Sequence, residues 1–299
     1  MPMRVAEKGR TVTAALVISM TGGLLGAQTP ADTTRPLPVP PPTLEAARAA
    51  WEKAPTNVDS IVWYGRRMGY TGDFGATIDI YTEGLRLHPD DPQLLRHRGH
   101  RYLSVRNYTA ALQDLQRARD AVVGRPDVVE LDGQPNARGI PTSTLHSNIR
   151  YHLALAHFLL GDFPSAAAIW EEDAKLAANL DQRAAATFWW VVALARQRDG
   201  DRVREALAPV RADWEIIENG SYHLLLLWMK GERTDEQLRA RMQTPLERQT
   251  LGNGMAQWYL ARGRRATAEG IAREVLATGP SASFGFLAVE QMARELGIR

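Results

Sequence analysis

Four histidines, two acids and one asparagine are the residues whose spacing could do chemistry in this chain of 299 residues. His97 and His100 stand three apart, so a helix would put both on one face, within reach of a shared ligand. His152 and His157 lie further along, where a neighbouring helix could bring them alongside. Glu130, Asp132 and Asn136 fall in a stretch rich in turn-forming pairs, Asp132-Gly133 and Pro135-Asn136. Tight turns there would gather their oxygens, but the spacing is not that of an EF-hand loop. Glu171-Glu172 are adjacent and would diverge by about 100° on a helix, which rules them out as an acid/base pair. The sequence has no HExxH, no GxSxG, no P-loop and no complete GxGxxG. Gly252-Asn253-Gly254 lacks the third glycine of that last motif. No catalytic residue, cofactor site or metal site is therefore assigned.

Composition narrows the classes further. The net charge is +2, and residues 1–27 supply it through Arg4, Lys8 and Arg10 against Glu7. The remainder is neutral, which leaves no electrostatic footprint for nucleic acid. Of 36 basic residues only Lys8, Lys53, Lys175 and Lys230 are lysines, a bias read as that of a GC-rich genome. There is no cysteine, so disulfides, thiol catalysis and cysteine-ligated zinc are excluded.

The elements that must position these groups are helices. A basic start, an uncharged apolar run over 11–26 and a small residue at Ala27 follow the order of a secretory signal peptide over 1–27. The apolar run is shorter than the ~20 residues of a spanning helix. The expectation is export to a bacterial periplasm or beyond, with no stable membrane span after cleavage. Residues 28–42, with prolines at 30, 36, 38, 40, 41 and 42, form a polyproline spacer.

From 43 to 299 the chain repeats. Gly65 recurs as Gly99, Phe74 as Tyr108, Ile78 as Leu112, Tyr81 as Leu115 and Gly84 as Ala118, each 34 residues on. Each unit reads as a helix, a turn such as Gly72-Asp73, and a second helix stopped near a proline. The positions of Ile61, Tyr64-Gly65, Met68, Thr77, Tyr81, Gly84 and Pro89 resemble the pattern of the tetratricopeptide repeat family. Leu95, Gly99, Tyr102, Ala111, Leu115 and Ala118 repeat it, with departures at Arg98 and Val123. Further units span about 146–176, 181–210 and 250–280, and a closing helix spans 283–296. The segment 214–246 reads as a divergent helix pair, with WEIIENG ending at a glycine cap and a capping box at Thr234–Gln237. Residues 124–147 form a long loop inserted over or beside the repeats.

The resemblance implies an all-α, right-handed solenoid whose first helices line a concave groove. On it the groove residues are Val62 and Arg66, then Arg96, His100 and Leu103, then Asn148, Tyr151, Leu155 and Phe158, then Asn253 and Gln257. A groove cationic at its N-terminal end and apolar in the middle suits an extended protein or peptide segment with an acidic end. The expected function is a non-catalytic, exported scaffold. Two alternatives stand beside it: a helical-solenoid hydrolase or lyase using the histidines with Glu130 or Asp132, and an envelope component tethered by an uncleaved N-terminus.

Overall fold

The structure, a computed structural model, describes residues 41–298. The expected signal peptide over 1–27 and residues 28–40 of the expected spacer lie outside them. The regular structure of the described chain is helical, with one isolated antiparallel bridge between Val129 and Thr144. None of its helices is long and apolar enough to cross a membrane.

The order is α1 (Leu44–Lys53), α2 (Val58–Gly69), α3 (Phe74–Leu87), α4 (Pro92–Ser104), α5 (Tyr108–Ala121), α6 (Leu145–Leu159), α7 (Phe163–Leu176), α8 (Leu180–Arg196), α9 (Gly200–Leu207), α10 (Gly220–Met229), α11 (Asp235–Arg241), α12 (Pro245–Ala261), α13 (Arg265–Leu276) and α14 (Phe284–Leu296). Consecutive helices pack from α1 to α9, and α2, α4, α6 and α8 also pack in succession as an inner layer. The arrangement is a helical solenoid of paired helices.

Two devices set the pairing. The first is a turn: a left-handed residue followed by a capping side chain. Asp73, Asn107, Asp162 and Asp199 each accept the N–H three residues on, at 2.9–3.2 Å, satisfying a donor that the helix start leaves bare. Before them stand Gly72, Arg106, Gly161 and Arg198, all at positive φ. The second is a small residue facing a large one. A Cβ on Gly65 would sit 2.5 Å from the Tyr81 ring, and one on Gly99 would sit 2.7 Å from Leu115. These glycines let α2 meet α3, and α4 meet α5, at close range. Arg98, where the repeat pattern wants leucine, forms a two-point ion pair with the buried Asp114 at 2.6 and 2.8 Å.

Residues 214–219 are irregular, with a bend at 217–218, and Gly220 begins α10 rather than ending a helix. The buried carboxylate of Asp181 accepts the backbone N–H groups of Ile217, Glu218 and Asn219 at 2.7–2.9 Å. That anion in a cradle of successive amides holds the bend that leads into α10. The capping box at Thr234–Gln237 is present.

The expected open trough is closed near its middle. α14 packs on α12 and α13 and then reaches α6. Arg106, in the α4–α5 turn, donates to Glu290 of α14 at 3.1 Å and to the Ser281 carbonyl at 2.9 Å. A Cβ on Gly285 would lie 2.4 Å from the Gln249 carbonyl oxygen of α12, so α14 and α12 touch backbone to backbone. Gly285→Ala is accordingly expected to lower stability by about 1–3 kcal/mol, the cost of overpacking against atoms that cannot turn aside. Chemical denaturation measures it, and an unchanged midpoint would mean that this crossing is loose.

Candidate functional site

Where α14 closes the trough, two adjoining cavities remain. The first, about 220 Å³, is lined by Arg66 of α2, by Arg96, His97, His100 and Arg101 of α4, by Asn148 and His152 of α6, and by Phe284 of α14. Glu130 and Asp132 enter it from the loop between α5 and α6. The second, about 320 Å³, shares Asp132, Ser143, Asn148, His152 and Phe284 with the first and continues toward Tyr151, Asp173, Glu218 and Tyr222.

The loop is pinned as a roof. Glu130 N–H donates to the Ser143 carbonyl at 3.1 Å, and Leu145 N–H to the Val128 carbonyl at 2.9 Å. Arg66 donates to the Leu131 carbonyl, while Thr142 and Asn136 donate to Glu218. The loop thus ties α2 to the segment before α10. Its three oxygen-bearing side chains diverge: Glu130 turns to Arg96 and His97, Asp132 caps Gln134 N–H, and Asn136 serves Ile140 and Glu218.

The charges do not balance. Arg96 lies 3.2 Å from Glu130, and Arg66 lies 4.0 Å from Asp132. Arg101 is mostly buried, and among the described residues no carboxylate pairs with it; its guanidinium rests over the Phe74 ring at 5.2 Å. Burial pushes its pKa down to about 10. Three guanidiniums thus face two carboxylates, an excess of one positive charge in a place where an unpaired ion is costly. The Arg96 Nε is buried with no hydrogen-bond partner among the described residues.

The histidines adapt to that field. Arg96 lies 2.9 Å from His97 Nδ1, which must accept, leaving Nε2 to face Glu130 at 3.3 Å. His152 Nδ1 donates to the Asn148 carbonyl. The His100 and His152 rings lie 4.4 Å apart, with Phe284 5.3 Å from each. Burial first, and then the neighbouring arginines, hold His97, His100 and His152 well below 6.5. His157 is elsewhere, bonded to Asp162 at 2.9 Å.

Of the sequence-derived groove residues, Arg66, Arg96, His100 and Asn148 meet in the first cavity, and Asn148 also borders the second. Tyr151 lines the second; its hydroxyl lies 3.2 Å from that of Tyr222 and accepts from Trp189 at 2.6 Å. Phe158 does not reach the groove, nor do Asn253 and Gln257. Phe158 is buried between Trp170 and Trp189, at 5.8 and 5.5 Å between ring centres. Asn253 and Gln257 are each 1% exposed, because α14 covers the face of α12 that carries them. Gln257 accepts from Arg196 at 2.9 Å. Sequence reasoning missed Arg101, Tyr70 and Phe284. Arg101 carried no signal, since it stands beside His100 and not at a groove position of the repeat.

With the inner layer, the Gly65–Tyr81 and Gly99–Leu115 contacts and the capped turns in place, the architecture is decided. The described residues form a solenoid of stacked helix pairs whose spacing resembles the tetratricopeptide repeat. Two of the similar solved structures are described as TPR or tetratricopeptide repeat proteins. YrrB, described as a TPR protein with an unusual peptide-binding site, is 14% identical over 83% of this chain and 100% of its own, with a TM-score of 0.44. A tetratricopeptide repeat protein from Parabacteroides merdae is 14% identical over 83% and 90%, with a TM-score of 0.48. The Cut9–Hcn1 assembly of the APC/C is 12% identical over 85% and 59%, with a TM-score of 0.36. Neither a protein-family model nor a curated relative matches the sequence.

The buried histidines make stability depend on pH. The unfolded chain takes up protons near pH 6.5 that the folded chamber refuses, so the unfolded state binds more protons below that pH. Their stabilising contribution is complete above about pH 6.5 and falls as the pH drops, by up to about 1.4 kcal/mol per pH unit for each histidine. His100→Gln is expected to flatten the slope of unfolding free energy between pH 6.5 and 5. A slope equal to that of the wild type would place the ring in water.

Proposed function

We propose that this chain is an exported, non-catalytic scaffold that holds a protein or peptide at its concave face, with an acidic group of the ligand entering the chamber. Arg101 carries the reading: a mostly buried guanidinium without a carboxylate, in a cavity with one positive charge in excess. A carboxylate from a ligand would supply the missing partner and recover a charge-assisted bond. The chamber has room for one such group and its stem and not for a folded segment. The rest of the ligand would lie toward Tyr151, Tyr222 and the loop, where hydroxyl and amide groups accumulate. A scaffold also accounts for the roles of the ionisable groups: Glu130 is committed to Arg96 and His97, and the histidines stay neutral. The basic start, apolar run and small residue over 1–27 support export.

Photo-crosslinkers placed at Tyr70 and Leu131, at the edge of the roofed cavity, are expected to capture one reproducible protein in native cells. Arg101→Gln is expected to weaken that capture tenfold or more, the loss of about 1.5–3 kcal/mol for a charged hydrogen bond, while the fold is retained. Capture of nothing, or capture indifferent to Arg101, would contradict the proposal. N-terminal sequencing of the native protein tests export separately: a start near Gln28 is expected, and an intact Met1 would favour a tether.

A further inference from the structure

Two turns of the solenoid hold arginine where four others hold glycine. Gly72, Gly161, Gly231 and Gly263 occupy the left-handed region at the helix–helix turns, and Arg106 and Arg198 adopt it at φ 63° and 60°. A side chain there strains the backbone, so its retention points to a use for the side chain. For Arg106 the use is visible, since the guanidinium holds α14 through Glu290 and Ser281. The Arg198 N–H donates to the Ala195 carbonyl at 3.0 Å, but its guanidinium has no polar partner among the described residues.

Arg198 instead lines a groove of about 760 Å³ between its own turn, α9, the end of α10 and the α12–α13 turn. The groove exists because the outer layer is incomplete there. α9 has 8 residues where α3, α5 and α7 have 14, and the 7-residue α11 packs away on α10. Val203, Leu207, Met229 and Trp258 form an apolar floor. On the rim, Arg204 and Lys230 are matched by Asp201 and Glu232. Arg262 is not matched: its guanidinium lies 3.8 Å from the centre of the Trp258 ring, and no carboxylate pairs with it among the described residues. Asp199 also lines the groove, its carboxylate capping the Arg202 N–H. The groove thus offers an apolar bed and an exposed rim with two guanidiniums that make no ion pair among the described residues, and it shares no residue with the concave cavities.

We propose that this groove binds a small amphipathic carboxylate, with an alkyl or aryl body on Leu207, Met229 and Trp258 and its carboxylate at Arg198 and Arg262. The volume falls in the range that small ligands fill, and the groove joins an apolar floor to a charged rim. The charge favours an anionic head group: four cationic side chains and one carboxylate, Asp199, line the groove, and a carboxylate matches the paired donors of Arg198 and Arg262.

The test is calorimetric titration of the purified full chain with decanoate, decanol and decyltrimethylammonium. Decanoate is expected to bind about tenfold or more tightly than the other two, the value of one charge-assisted bond. Arg198→Gly removes the guanidinium and at the same time relieves the turn. It should abolish the preference for decanoate while the melting temperature stays at or above that of the wild type. Arg262→Gln should reduce the preference, whereas Arg106→Gly and Arg101→Gln should leave it intact. Equal binding of the three probes, no binding, or a preference that survives Arg198→Gly would overturn the proposal. An acidic helical peptide that binds in an Arg198-dependent way where decanoate does not would likewise overturn it, by giving the groove a protein occupant. Loss of decanoate binding in Arg101→Gln would overturn the separation of the two sites.

Discussion

Phe284 lies against the His100 and His152 rings, Arg106 grips Glu290, and Gly285 lets α14 rest on the backbone of α12. Without these contacts the concave side would be an open, solvated trough, and its arginines would be ordinary surface cations. With them, side chains from α2, α4 and α6 face one another across a space closed by α14 and the loop over 122–144. The closure converts a binding surface into a chamber. It also makes the field of each charge matter, because water no longer screens it.

Inside that chamber the polar groups are arranged by elimination. Glu130 is the one acid placed to serve both Arg96 and His97, and it comes from the loop, not from a repeat helix. The histidines meet the remaining positive charge by staying neutral. Arg101 is left over, with an aromatic face for company and no counter-charge. A structure that carries a buried, unpaired guanidinium forgoes stability there. The same logic applies outside the trough, where Arg198 holds a backbone conformation suited to glycine. In both places a local rule is broken without a compensating contact within the described chain, the pattern expected at sites that serve a ligand.

Much of this was legible in the sequence because it is local. The 34-residue spacing, the glycine–aspartate turns and the Thr234–Gln237 box depend on neighbours a few residues apart, or on identical packing from one unit to the next. The closing helix was readable as a helix, and α14 begins one residue after its cap at Ser283. Its direction was not readable, because Phe284 and Gly285 act on partners far away in the chain. That one non-local event explains the misplaced residues: Asn253 and Gln257 sit at groove positions of their unit but are covered by α14. Phe158 was misplaced for another reason, since it turns into the stack formed by Trp170 and Trp189. The irregular path of 214–219 was hidden because its determinant is Asp181, more than thirty residues earlier.

The claim on which the rest stands is that the C-terminal helix is docked into the trough as firmly as the repeats are packed on one another. Native-state hydrogen exchange tests it most directly. The amides of α14 are expected to exchange as slowly as those of α6 and α12, opening only with the whole domain. Amides over 284–296 that exchange within the time of a free terminal helix, while α6 stays protected, would show a trough that is open in solution and a chamber that does not persist.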